Sequence, residues 1–216
     1  MFLKDEKYGL KGCATMIRKR VRGDTGVQTK ATESLESTKK IEELMQEGDW
    51  TYLRSVLREN YQTKHIGSIL ALALKMGAPE DIVKTIIGAC PESVREEDEL
   101  GRLPIHLSCL VGASSDIVRR LLETDPTSAM RKDQEGRLAL HHAVQYCILS
   151  KGVTLDTVEV LCSFAPRAAH ERDLRDESPL DLAHEMESSA VMNDDVETEF
   201  AAREVSWTIQ ECASSW

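Results

Sequence analysis

The chain has 216 residues, 41% of them hydrophobic, and its 27 Lys and Arg stand against 37 Asp and Glu for a formal net charge of −10. The apolar content is enough for a core, yet the longest apolar run, Ile69 to Leu74, is far shorter than the roughly 18 residues of a membrane span, so no membrane partner is expected. An acidic chain also argues against nucleic acid as the main ligand, because a duplex-binding face must be basic.

Taken in chain order, residues 1–36 form a basic arm without sustained periodicity, expected to be disordered. Residues 1–40 hold 10 basic and 5 acidic side chains, a balance of +5, whereas the remaining 176 hold 17 and 32, a balance of −15. The acidic body points to a partner with a basic patch. Within the arm, Arg18, Lys19, Arg20 and Arg22 are concentrated enough for a nuclear-import signal or an anionic-surface contact, the bland alternative being solvated charges on a tail. Residues 37–65 read as a degenerate helix pair: Ile41, Leu44 and Met45, then Trp50, Leu53, Val56 and Leu57, recur at helical spacing on either side of Gly48.

From there the sequence repeats. Asp98, Gly101, Leu103 and His106 return 35 residues later as Asp133, Gly136, Leu138 and His141. At the same shift Gly77 matches Gly112, Asp81-Ile82-Val83 matches Asp116-Ile117-Val118, and Pro91 matches Pro126. The next copy aligns at a shift of 40, with Asp156, Pro166, Ala169 and Asp173 in register, so five extra residues fall in the Tyr146–Thr154 stretch, where an inserted loop is expected. The units are 66–100, 101–135, 136–175 with an insertion near 146–154, and 176–216. In the last unit Asp194 and Asp195 precede a helix with Val196, Phe200 and Trp207 on one face, a terminal cap. Such a period marks stacked helix-turn-helix units that bury their apolar faces against their neighbours.

Each unit carries its own punctuation. Pro104 suits the first turn of a helix, Gly77 and Gly112 supply a left-handed stop, and Ile117, Val118, Leu121 and Leu122 form a buried stripe. Pro91, Pro126 and Pro166 each end a second helix, and the Asp98 and Gly101 positions form an outward turn. The segments "GRLPIHLSCLVG", "DIVRRLL", "GRLALHHAV" and "SPLDLA" resemble ankyrin repeats, whose hallmark is G-x-T-P-L-H-x-A, a glycine and a second helix ending in Leu-Leu. The resemblance covers residues 41–183 and implies an all-α solenoid of about four units, a protein-binding module rather than an enzyme. It departs from the family in two places. The usual threonine is Leu103 and Leu138, only Ser178 keeping the hydroxyl, with Asp181 placed for a capping box. The Gly-Ala-Asp turn after the second helix is replaced by Asp-Pro, Cys-Pro or Ala-Pro.

Little in the sequence points to chemistry. His141 and His106 are the repeat histidines, and His141 and His142, being adjacent on a helix, point about 100° apart and cannot chelate readily. No phosphate loop, HExxH, GxSxG or kinase signature occurs. The six cysteines, at 13, 90, 109, 147, 162 and 212, form no CxxC pair. With no secretory leader near Asp5 and Glu6 they read as reduced thiols, in a cytoplasmic or nuclear protein. No nearby base activates Cys147, the one candidate reactive thiol. No cofactor or metal is expected, and the chain is expected to be a monomer.

The resemblance implies that a protein or peptide partner touches loop tips and the exposed side of each first helix. The matching positions are Lys75 and Met76; Glu99, Leu100, Arg102, Leu110 and Val111; Gln134, Glu135, Arg137, Gln145 and Tyr146; and Leu174, Arg175, Glu177 and Met186. Met76, Leu100, Leu110, Val111, Tyr146 and Met186 would make an apolar stripe if they are not packed under neighbouring loops. Two readings follow: an adaptor or scaffold, or a nuclear regulator in which the basic arm directs import or touches nucleic acid and the repeats hold a transcription-related protein.

Overall fold

A computed structural model describes residues 41, 43–59, 67–150 and 155–214; residues 1–40, including Arg18, Lys19, Arg20 and Arg22, and residues 151–154 lie outside the described residues. Among the described residues a short helix over 43–47 is followed by nine helices: α1 (Trp50–Glu59), α2 (Gly67–Lys75), α3 (Glu80–Ala89), α4 (Pro104–Leu110), α5 (Ser115–Thr124), α6 (Ala139–Leu149), α7 (Asp156–Phe164), α8 (Pro179–Met192) and α9 (Val196–Ser214). No strand occurs among the described residues. The helices stack in two layers, with α2, α4, α6 and α8 packed in order on one side and α3, α5, α7 and α9 on the other. The chain is an all-α repeat solenoid.

The outer layer is built from amphipathic stripes. In α5, Ile117, Val118, Leu121 and Leu122 are buried while Arg119, Arg120 and Glu123 face solvent, and α3 repeats the pattern with Ile82, Val83, Ile86 and Ile87. In the inner layer α4 is buried nearly all round, every residue from Pro104 to Cys109. One continuous core results, running from Ile41, Leu44, Met45, Leu53 and Leu57 under α1 to Ala202, Val205 and Ile209 of α9.

The prolines after the outer helices do more than end them. Pro91, Pro126 and Pro166 each begin a five-residue 3-10 turn (Pro91–Arg95, Pro126–Met130 and Pro166–His170), a position where the missing N–H costs nothing. The hydroxyls of Ser93 and Ser128 donate back to the carbonyls of Cys90 and Asp125, both at 2.6 Å, and Val94, Ala129 and Ala169 are buried beneath the turns. This is how the chain replaces the Gly-Ala-Asp turn.

The stretch expected as an inserted loop is partly helix. Residues 146–149 extend α6 by a turn beyond the length of α4. The extra turn brings Tyr146 over the glycine that ends α4: a Cβ built on Gly112 would lie 2.0 Å from Tyr146 Cζ. Tyr146 is therefore half-buried and fills the space that the glycine leaves. Gly77 has the same left-handed backbone, φ 66° against 68° for Gly112, but nothing lies within 4 Å of a Cβ there. Gly77→Ala should accordingly cost only the backbone strain, about 1–2 kcal/mol, whereas Gly112→Ala costs more. In a Tyr146→Ala background the two costs should converge, read from urea-denaturation midpoints; an unchanged gap would mean that the ring is not what excludes a side chain.

Candidate protein interface

The outward turns are organised by one aspartate each. The amide of Asp98 donates to the carbonyl of Arg102 at 3.0 Å, and its Oδ1 accepts the amides of Leu100 and Arg102, both at 3.0 Å. Asp133 does the same with Glu135 and Arg137, and Asp173 with Arg175 and Glu177. The turns close through left-handed residues at Gly101, Gly136 and Asp176, with φ 68°, 75° and 65°. Successive tips are bonded together: the Gln134 amide donates to the Leu100 carbonyl at 3.1 Å, and the Leu174 amide to the Glu135 carbonyl at 3.0 Å. A rigid rail of backbone thus joins the three tips.

The second carboxylate oxygen of each aspartate anchors the tip. Oδ2 of Asp98 takes Arg102 at 2.8 Å and Lys75 at 3.1 Å. That of Asp133 takes His142 Nε2 at 2.9 Å, and that of Asp173 takes Arg137 at 3.3 Å. Burial works to raise the Asp98 carboxyl, but Arg102, Lys75 and the amide donors outweigh it and hold the group at about 2. Asp133 and Asp173 are likewise held below the usual carboxylate range against the effect of burial.

The histidines tie the inner helices to the same frame. Nδ1 of His106 accepts the Leu103 amide at 3.0 Å, which places the proton on Nε2, and that group donates to the Arg131 carbonyl at 2.9 Å. His141 repeats the local bond with the Leu138 amide at 3.1 Å, its Nε2 meeting the Glu177 carbonyl at 3.1 Å. Without the threonine, the imidazole alone satisfies the donor that precedes each helix. At Ser178 the reciprocal capping box with Asp181 is complete, both bonds being 3.1 Å. His142 is not a repeat histidine; its ring meets His106 edge-on at 5.9 Å, and its Nδ1 is buried with no hydrogen-bond partner among the described residues. Burial pushes all three imidazoles below their usual range, His106 to about 4. It also raises the Cys147 thiol to about 11 and the Cys109 and Cys162 thiols to about 12, so none of the three supplies a thiolate at neutral pH.

The structure divides the sixteen interface positions. Arg102 and Arg137 are internal, their side chains only 12% exposed, and Arg137 also reaches Gln145 at 3.5 Å. Lys75 is exposed but paired with Asp98, Gln134 also bonds the Glu99 carbonyl through its side chain at 3.1 Å, and Glu177 is half-buried. Tyr146 and Met186 are half-buried, the latter packed against the core. Met76, Leu100, Leu110, Val111 and Leu174 remain as exposed apolar groups, alongside exposed Glu99, Glu135 and Arg175. Among the described residues the most exposed large apolar side chains, apart from Leu174, are Met192, Val196 and Trp207, at the end of α8 and on α9. They escape an alignment of repeats because no other unit has counterparts to them.

Residues 70–168 match the family model for ankyrin repeats in three copies, a span from α2 to the 3-10 turn before α8. No curated protein matches the chain.

Stability should depend on pH through the buried histidines. Their folded values lie below the ordinary 6.5, so the unfolded chain takes up protons first. The stability they support is full above 6.5 and falls as the pH drops towards about 4. Each such proton contributes up to about 1.4 kcal/mol per pH unit. Urea titrations across this window should show that slope, and His142→Leu should reduce it; a slope unchanged by that substitution would remove His142 from the account.

Proposed function

We propose that this chain, an ankyrin-repeat protein over residues 70–168, is a non-enzymatic adaptor that docks a partner protein or peptide on its fingertips and on the exposed ends of its inner helices. Ankyrin repeats are in general protein-interaction modules. The observation that carries the reading here is the coexistence of a rigid, bonded rail of tips with apolar groups it leaves uncovered: Leu100 and Leu174 on the tips, and Met76, Leu110 and Val111 at the helix ends. Such a frame loses little entropy on binding. Catalysis is not part of the proposal, since the aspartates and histidines of the frame are spent on internal hydrogen bonds.

The partner's chemistry follows from what is left over. The tip cations Arg102 and Arg137 are neutralised, Arg137 by Asp173 and at 3.6 Å by the exposed Glu135, whereas Glu99 stands exposed. A partner with apolar anchors set in a basic patch is the complement. The free thiols Cys90, Cys109, Cys147, Cys162 and Cys212 support a reducing compartment, the cytoplasm or nucleus.

Leu100→Asp with Leu110→Arg should weaken capture of the native partner, identified by proximity labelling with the unaltered chain, by at least about a hundredfold, or about 2.7 kcal/mol. Both residues are exposed, so the helical circular-dichroism spectrum and melting temperature should hardly change. Undiminished capture would place the interface elsewhere.

A further inference from the structure

Two cysteines meet where α9 packs on α7. Cys162 lies on the core side of α7, one residue after Leu161 and four after Val158, and is 1% exposed. Cys212 stands three residues after Ile209 and seven after Val205, which places it on the buried side of α9, in the last turn of that helix. It is half-buried and packs against the same core. Cys212 is close enough to Cys162 to act on its thiol both by charge and as a hydrogen-bond partner.

The two thiols differ in access and in chemistry. Burial, then the charge of Cys212 and hydrogen bonding with it, raise the Cys162 thiol to about 12, so Cys162 keeps its proton at neutral pH. Cys212, open to solvent on one side, is the sulfur that a small oxidant can reach. The other described thiols are placed differently. Cys109 on α4 and Cys147 on α6 are 1% and 4% exposed, both sealed in the core. Cys90 is half-buried but ends α3, two outer helices before α7.

We propose that Cys162 and Cys212 are a reversible oxidation site, at which a hydroperoxide closes a disulfide that clamps α9 to α7. The Cys212 sulfur attacks the peroxide, the O–O bond breaks, and Cys212 becomes a sulfenic acid as water or the alcohol leaves. The Cys162 thiol condenses with it: the S–S bond forms, the S–O bond breaks, and the hydroxyl departs as water with the Cys162 proton. The two thiols lose two electrons in all, the peroxide gains them, and a dithiol reverses the change by exchange. Contacts in a repeat stack run only between neighbours, so an outer helix can open without the rest. The bridge opposes this, because it closes a loop of about 50 residues that contains all of α8. The approach that the two sulfurs need falls in the last turn of α9, where a helix adapts most readily. The inference does not depend on the fingertip interface.

The test treats the full chain with hydrogen peroxide, blocks the remaining thiols in denaturant and maps the peptides by mass spectrometry without reduction. A peptide pair joined through Cys162 and Cys212 is expected, released by dithiothreitol, with Cys109 and Cys147 recovered as thiols. Cys162→Ala should stop at a sulfenic acid on Cys212, trapped by dimedone. Cys212→Ser, a change at a half-buried site, should leave Cys162 unoxidised. The clamp is read with trypsin at the Arg203–Glu204 bond, inside α9 and cut only when that helix opens. Oxidation should slow this cleavage at least about tenfold in the unaltered chain and leave it unchanged in Cys212→Ser. Recovery of both cysteines as thiols would overturn the inference. So would Cys212 joined instead to Cys13 or to a second chain, or a bridged chain cut as fast as the reduced one.

Discussion

Everything in this stack depends on a two-handed carboxylate. In Asp98, Asp133 and Asp173 one oxygen accepts two backbone amides and shapes a fingertip, while the other holds a cation or an imidazole. Two of those partners reach along the stack: Lys75 at the end of α2 reaches the tip at Asp98, and Arg137 beside one tip reaches Asp173 in the next. Tip geometry and stacking register are thereby fixed by the same group. The anion stays charged because its donors outweigh its desolvation. An alanine at the same place would lose the turn and the tie together, whereas an asparagine would keep the turn and lose the charged tie. In a structure whose units contact only their neighbours, such local ties are the means of holding register along the whole length.

The one departure from this scheme is instructive. Asp133 receives no arginine, because Arg137 is turned to Asp173 and Arg102 to Asp98. His142 takes the vacant oxygen, from a position that leucine, Leu107, fills one unit earlier. The substitution satisfies the carboxylate but leaves Nδ1 buried without a partner among the described residues. It also sets a second imidazole against His106, so that protonating either ring disfavours the other.

Much of this was legible in the sequence, for physical reasons. The register of Asp98 with Asp133, the proline at the start of α4 and the glycine stop at Gly112 all express backbone constraints that only a few residue types meet. The histidine role follows from the same periodicity. What a repeat alignment does not contain is the relation between one unit and the next. Arg102 and Arg137 occupy tip positions that look free; Arg102 is taken by Asp98 of its own turn, and only the stack brings Asp173 within reach of Arg137. Tyr146 reads as a surface aromatic in an insertion until the added helical turn sets it over Gly112. The spacing of Val196, Phe200 and Trp207 marks α9 as a helix, but on that helix they are the solvent side, and the core side is the quieter series Ala202, Val205 and Ile209.

The body is acidic in composition, and these placements say which charges meet solvent. Its basic side chains are disproportionately occupied: Lys75, Arg102 and Arg137 serve the tips, Arg95 serves Asp125 beneath a 3-10 turn, and Arg203 serves two glutamates on α8 and α9. The carboxylates that remain exposed, Glu99 and Glu135 at the tips and Glu204 on α9, lie beside the exposed apolar groups. Apolar anchors supply affinity only after desolvation, at short range, whereas a negative field acts at a distance and is screened beyond about 8–10 Å at physiological salt. For a partner docked as proposed, the field would govern encounter and orientation, and the anchors residence. Each ion pair of the frame removes one carboxylate along with its cation, so the negative charge left at the surface is the excess of 37 acidic over 27 basic residues in the sequence.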